Sequence, residues 1–187
     1  MNKKLILSLH DVVGTYIENN FNTGNITVLK NYDCGGNQRL PLFVNNIKSP
    51  ETETCNADMI FIKNVDEQKT VRVIVEIEES DIKPSKLCGK FMAAVLAKNY
   101  IHELHCNHTV PVDDEATFVQ IIDTSKLTRE SNKLEQFRNI EKAIQGMLPL
   151  SGSNIKNYKL FYLDLHKDRN DLKEEMHNIK TYIYQHI

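Results

Sequence analysis

Two short apolar runs that carry acids constrain this chain more than anything else in it. Ala57-Asp58-Met59-Ile60-Phe61-Ile62 and Val71-Arg72-Val73-Ile74-Val75-Glu76-Ile77-Glu78 are both rich in residues that favour a buried strand. The polar segment between them, Lys63 to Lys69, holds Asn64 and Asp66 and reads as a hairpin connection. Strands joined by a hairpin lie side by side, so Asp58 becomes a neighbour of acids that follow it by eighteen and twenty residues. Alternation puts Val71, Val73, Val75 and Ile77 on one face of the second strand. Ile74, Glu76 and Glu78 share the other face, with the two glutamates about 7 Å apart along the strand. Burying a carboxylate is expensive, and three of them repel one another unless a cation lies between.

The rest of the chain alternates helix and strand. Leu5, Leu9, Val12, Val13 and Tyr16 recur at helical spacing and predict a helix over residues 3 to 20. A strand over residues 25 to 31 is followed by the turn Cys34-Gly35-Gly36-Asn37. Residues 37 to 55 read as a long loop around one short extended piece, Leu42-Phe43-Val44. After the acid-bearing strands, Lys83-Pro84-Ser85 opens a helix with the apolar stripe Leu87, Phe91, Ala94 and Val95, running to about Leu104. A strand over 116 to 123 comes next, then a helix marked by Leu134, Phe137, Ile140, Ile144 and Leu148. Pro149 and Ser151-Gly152-Ser153 end that helix. A strand over 158 to 165 and a helix marked by Leu172, Met176, Ile179 and Ile183 complete the chain. The order is helix, two or three strands, helix, strand, helix, strand, helix. It predicts one mixed α/β domain over residues 1–187.

Bulk properties narrow the function. A chain of 187 residues with 41% hydrophobic and 26% charged residues suits a soluble globular protein. Its net charge of -2 counts against a protein that reads nucleic acid unaided. The basic start is interrupted by Ser8, His10 and Asp11 and reads as helix, not as a signal peptide. No apolar run reaches the roughly 20 residues of a membrane span, so no membrane partner is expected. Cys34, Cys55, Cys88 and Cys106 are widely spaced, which suits reduced thiols in a cytosol.

Magnesium fits the acids, because it is usually held by one or two carboxylates together with water and phosphate oxygens. Asp58 and Glu76 are the expected ligands, helped by the backbone carbonyl of Ile77, and Mn2+ would substitute. Glu78 on the same face would orient an attacking water or receive its proton. Lys83, Lys86 and Lys90 open the following helix without an intervening acid and are expected to bind phosphate beside the site. His102-Glu103-Leu104-His105-Cys106-Asn107-His108 lacks the i, i+4 histidine spacing of a zinc helix and reads as a frayed helix end.

Asp58, then Glu76-Ile77-Glu78 closing a β-branched strand, then the stretch from Ser80 to Lys90 opening a helix, resembles the PD-(D/E)xK nucleases. The resemblance covers residues 3 to 123. It implies a restriction-endonuclease-like core, α-β-β-β-α-β, here followed by a C-terminal α-β-α. Asp58 and Glu76 would be the metal ligands and Glu78 the third catalytic residue. Ala57 stands where the motif has proline, and Glu78 where it usually has lysine. The site would therefore depend more on metal, or borrow Lys83, Lys86 or Lys90. Many relatives carry one more glutamate on the first helix. Glu18 is the candidate, although it lies nearly opposite the apolar stripe, and Glu53 and Glu51 are alternatives in the loop before Asp58.

The segment from Glu76 to Phe91 is similar to type II restriction endonucleases. Without a reading element of its own, the chain looks like the small subunit of a heterodimeric type IIS enzyme of Bacillus. That implies a Mg2+-dependent endonuclease in a bacterial cytoplasm, cutting one strand of double-stranded DNA, while a larger nicking subunit recognises the site. The alternatives are a self-sufficient homodimeric restriction or repair endonuclease, and a non-catalytic scaffold subunit with a degenerate nuclease fold.

Overall fold

The long strand of the acid motif becomes the middle of a mixed sheet. In this computed structural model residues 8–21, 24–66, 68–102, 108–127 and 132–187 are described. The elements run α1 (Leu9–Asn20), β1 (Ile26–Lys30), β2 (Pro41–Phe43), β3 (Glu53–Asn56), β4 (Met59–Val65), β5 (Gln68–Glu78), α2 (Pro84–Leu96), β6 (Asn99–Ile101), β7 (Thr109–Asp123), α3 (Lys133–Met147), β8 (Ile155–Leu163) and α4 (Arg169–His186). β1, β4 and β5 form an antiparallel meander, and β7 and then β8 add in parallel. The first residues of β7 instead pair antiparallel with β6, which continues through β2 to β3 as a small second sheet.

Helices cover both faces of the large sheet. Leu87, Phe91, Ala94 and Val95 of α2 and Phe137 and Ile144 of α3 pack on Ile60, Ile62, Ile74, Phe118, Ile122 and Leu160. Leu9, Val13 and Ile17 of α1 and Met176, Ile179 and Ile183 of α4 pack on Met59, Phe61, Val73, Val75, Val119 and Ile121. The predicted stripe of α2 and the centres of those of α3 and α4 are buried, whereas α1 buries Leu9, Val13 and Ile17 and leaves Val12 and Tyr16 half-buried. α1 begins after Ser8, whose hydroxyl accepts from the N–H of Asp11, while the Asp11 carboxylate accepts from the N–H of Ser8. The predicted helix before residue 8 lies outside the described residues.

Several sequence expectations are corrected. The helix opened by Pro84 ends at Leu96, not near Leu104. Ala97 turns extended, the Lys98 N–H donates to Phe43 O at 2.7 Å, and the chain enters β6 with Tyr100 buried. The loop over 37 to 55 contains β3 as well as β2. The Lys63 to Lys69 connection is mostly strand, with Asp66 at positive φ in the turn. β7 starts at Thr109, seven residues earlier than predicted, because Thr109 to Pro111 pair with short β6 and the acidic Asp113 to Glu115 follow within the same strand. Val71 packs on the α2 face, not with Val73. Pairing slips at Arg72, so that Ile62 faces Val71 while Phe61 faces Val73. A bulge of this kind inserts one residue and reverses the alternation on its far side.

α1 is seated by a close backbone approach. A Cβ placed on Gly14 would stand 2.3 Å from the carbonyl oxygen of Cys34, in the turn after β1. Inside a helix, alanine is ordinarily more stable than glycine by roughly 0.5–1 kcal/mol. Here the sign is reversed: Gly14→Ala is expected to lower the denaturant midpoint in equilibrium unfolding, and an unchanged or raised midpoint would show that α1 does not sit this close.

Candidate functional site

The three acids of the motif meet where β4 begins and β5 ends. Asp58 precedes β4; its N–H donates to Val75 O at 3.1 Å, and its carbonyl accepts from Asn31 N at 2.9 Å. Its carboxylate accepts from the backbone N–H of Ile77 at 2.6 Å through Oδ2 and from Asn31 Nδ2 at 2.7 Å through Oδ1. Burial works against the charge of Asp58, but the nearby His10 ring, the hydrogen bond from the Ile77 amide and the charge of Lys90 outweigh it, so its pKa lies below the usual value. Ile77 thus serves Asp58 through its amide, a role the sequence reading did not assign.

Glu76 and Glu78 lie on the face covered by α2, as alternation predicts, and are 1% and 3% exposed. Lys90 Nζ is 2.5 Å from Glu76 Oε2, and Lys86 pairs with Glu78 Oε2. The match is geometric. Four residues of helix advance about 6 Å and two residues of strand about 6.8 Å. A helix running back along β5 therefore sets the two lysines against the two glutamates in reverse order. The second oxygens, Glu76 Oε1 and Glu78 Oε1, are buried without a hydrogen-bond partner. Burial and the charge of Asp58 push the Glu76 carboxyl up to about 8, against the pull of Lys90. Burial disfavours the Lys90 ammonium too, yet Glu76 and the other acids outweigh it and raise its pKa.

His10, in the first turn of α1, closes the other side. Its Nδ1 lies 2.6 Å from Glu79 Oε1, its backbone N–H donates to the same oxygen at 2.7 Å, and its Nε2 stands 3.6 Å from Asp58 Oδ2. Burial opposes the charged ring, but bonds and charges from Asp58 and Glu79 raise its pKa from 6.5 to about 9. No spacing rule points to His10 or Glu79. The only signal in the sequence is that Glu79 extends the acid run by one residue.

Other candidates lie apart from this cluster. Glu18 is exposed and pairs with Lys30 at 2.6 Å. Glu53 pairs with Arg39 at 3.1 Å and accepts from Asn56. Glu51 is exposed in the loop before β3. Lys83 caps α2 and pairs with exposed Asp81 at 2.8 Å, so of the three expected phosphate-binding lysines only Lys86 and Lys90 reach the acids. In the histidine-rich tract residues 103 to 107 lie outside the described residues. A cavity of about 500 Å3 opens beside Pro84, lined by Asn132, Glu135, Gln136, Asn139, Ile140 and Ala143, and holds none of the acids. Burial and charge mark the acid cluster as the better candidate.

A divalent cation fits this donor set in a limited way. Among the described residues no three His, Cys, Asp or Glu side chains form a ready ligand cluster. The donors are all oxygen, however, and Glu76, whose Oε2 meets the Lys90 ammonium, feels the charge of Asp58, so a cation between the two carboxylates would be compensated. Two carboxylates with water suffice for magnesium. Comparison with protein-family models, curated proteins and solved structures finds no match to this chain.

The His10 contacts give a pH signature for the metal-free protein. Since the folded pKa is raised above the unfolded one, their stabilisation is full below pH 6.5 and disappears as pH climbs through about 9. The gap in unfolding free energy between the wild type and His10→Gln should shrink steadily across pH 6 to 10. A gap that stays constant over this range would rule out a charged His10.

Proposed function

We propose that this chain is a metal-dependent phosphodiesterase of the PD-(D/E)xK kind, and the strand-cutting subunit beside a larger, DNA-recognising one. The observation that carries this reading is the pairing of two buried carboxylates, Asp58 and Glu76, across neighbouring strands, with Asp58 held on the Ile77 amide. Element order supports it too: a helix, an antiparallel meander of β1, β4 and β5, helix α2, and β7 added in parallel beside β5. With β2, β3 and β6 set aside, this order is compatible with the α-β-β-β-α-β core that the resemblance implies.

Asp58 and Glu76 would hold the ion, and the Ile77 carbonyl between them is the further donor that the resemblance supplies. When bound, magnesium there would polarise a phosphate oxygen and make a bound water more acidic. Asp58, ionised and fixed by a backbone amide, keeps its orientation while substrate enters. Glu78 sits two residues beyond Glu76 on the same face and is the group that would hold or receive the proton of the attacking water. Lys86 and Lys90 supply the positive charge that Glu78, standing in the place of the motif lysine, cannot. Both retain exposed surface, so either can turn from its glutamate to a phosphate oxygen. Among the described residues no helix is long and apolar enough to cross a membrane. Cys34, Cys55 and Cys88 are free thiols, which suits a bacterial cytoplasm.

A net charge of -2 favours a partner that brings the DNA. The second reading, a non-catalytic subunit, draws on the same lysines, because Lys86 and Lys90 already neutralise Glu78 and Glu76 without a metal.

The chain alone with Mg2+ is expected to cut duplex DNA poorly, and the chain together with the larger subunit should give double-strand breaks at one fixed offset. Asp58→Ala and Glu76→Ala should each abolish the cut in one strand, at least 100-fold by the scale of lost transition-state stabilisation, while circular dichroism stays native. Cleavage that persists in both variants, on a gel resolving each strand, would refute the site; native metal binding without cleavage would favour the scaffold.

A further inference from the structure

Gln120 of β7 is a fully buried polar residue in an apolar strand, and the acids explain why it is there. It stands at the register partner of Glu76, on the same side of the sheet as its strand neighbours Phe118 and Ile122. Paired residues of parallel strands lie about 4.8 Å apart and point to the same face, so the Gln120 and Glu76 side chains run side by side. Both are enclosed, at 0% and 1% exposure.

Their unused atoms are complementary. Tyr158 of β8 donates its hydroxyl to Gln120 Oε1 at 2.7 Å. Its ring is in turn held edge-on by Phe91 and stacked on Phe118, with centroids 5.4 and 6.1 Å away. That leaves Gln120 Nε2 as a buried donor without an acceptor. Across the ladder, Lys90 occupies Glu76 Oε2 and leaves Glu76 Oε1 as a buried acceptor without a donor. A buried donor and a buried acceptor, each without a partner, thus stand at one register position. Buried polar groups are rarely left unpaired.

We infer that Gln120 is a positioning residue for Glu76: its Nε2 fixes the inner oxygen Oε1, directly or through one buried water, and Tyr158 fixes the amide. This rests on the metal-site reading of Glu76 and adds a supporting pair to it. Locking Oε1 leaves Oε2 as the oxygen presented to Lys90 or to a metal ion. Partners behind a metal ligand of this kind typically govern affinity by 10- to 100-fold.

The test uses the full chain and Mn2+ alone, with free ion followed by its paramagnetic signal. Because Gln120→Met strands the Tyr158 hydroxyl, the Gln120→Met/Tyr158→Phe pair is made alongside it; replacing both partners by apolar groups of similar shape is close to neutral for folding. The double variant should still unfold cooperatively, at a denaturant concentration lowered by the stranding of Glu76 Oε1, and bind Mn2+ about 10- to 100-fold more weakly, with Tyr158→Phe intermediate. Unchanged affinity in a folded double variant would overturn the inference. A second readout needs no metal: the Gln120 side-chain amide resonances should move in Glu76→Gln, and amide resonances that stay put would overturn the contact itself. Wild-type protein that binds no Mn2+ would refute the metal reading, and the positioning role with it, while the resonances still decide whether the two side chains touch.

Discussion

The antiparallel match between α2 and β5 is the constraint on which the site depends. Two glutamates two residues apart on a strand can be buried only if cations arrive at nearly the same interval, and a helix turn supplies that interval. Lys86 and Lys90 meet it, and the chain direction between them is the one a helix must take when it returns beside the sheet to reach a parallel strand. Moving α2 by one residue would replace Lys90 by Gly89 or Phe91 at Glu76, leaving a buried acid uncompensated. The register of α2 is therefore fixed from two sides, by the apolar stripe on Phe118 and Ile122 and by two ion pairs at its start.

Much of this was legible in the sequence because it follows from periodicity. The parity of Glu76 and Glu78 and the stripes of α2, α3 and α4 are properties of single elements, and they stand in the fold. What escaped depends on long-range contact. β3 and β6 are short strands with little alternation of their own, and they exist because β2 and the start of β7 lie between and beside them. Val71 obeys the pleat only up to Arg72, and a bulge leaves no mark in the order of valines. His10 is the clearest case. It lies 69 residues from Glu79, and nothing local distinguishes it from the other histidines.

The first-helix candidate shows why a family pattern and a physical reading have to be kept apart. The resemblance called for a glutamate on the first helix, which made Glu18 the candidate. Its helical angle pointed to solvent, and it pairs there with Lys30. The residue of α1 that does reach the acids is His10, in the first turn of the helix and next to Leu9, which is buried against the sheet. A helix pinned at its N-terminal end by Ser8 and Glu79 brings its first turn, not its last, to the end of β5 where the acids lie.

Charge explains why the cluster tolerates its acids and what would change on binding a cation. Asp58, Glu76, Glu78 and Glu79 face two ammonium groups, Lys86 and Lys90, and one imidazolium, His10. With every group ionised the cluster carries one surplus negative charge. Glu76, the most enclosed of the four acids, is the one whose pKa burial and Asp58 raise, so it is the acid that takes up a proton most readily. A divalent ion in place of that proton would turn the cluster from neutral to net positive. The same exchange would free Lys90 from Glu76, because the ion satisfies the carboxylate the lysine now holds.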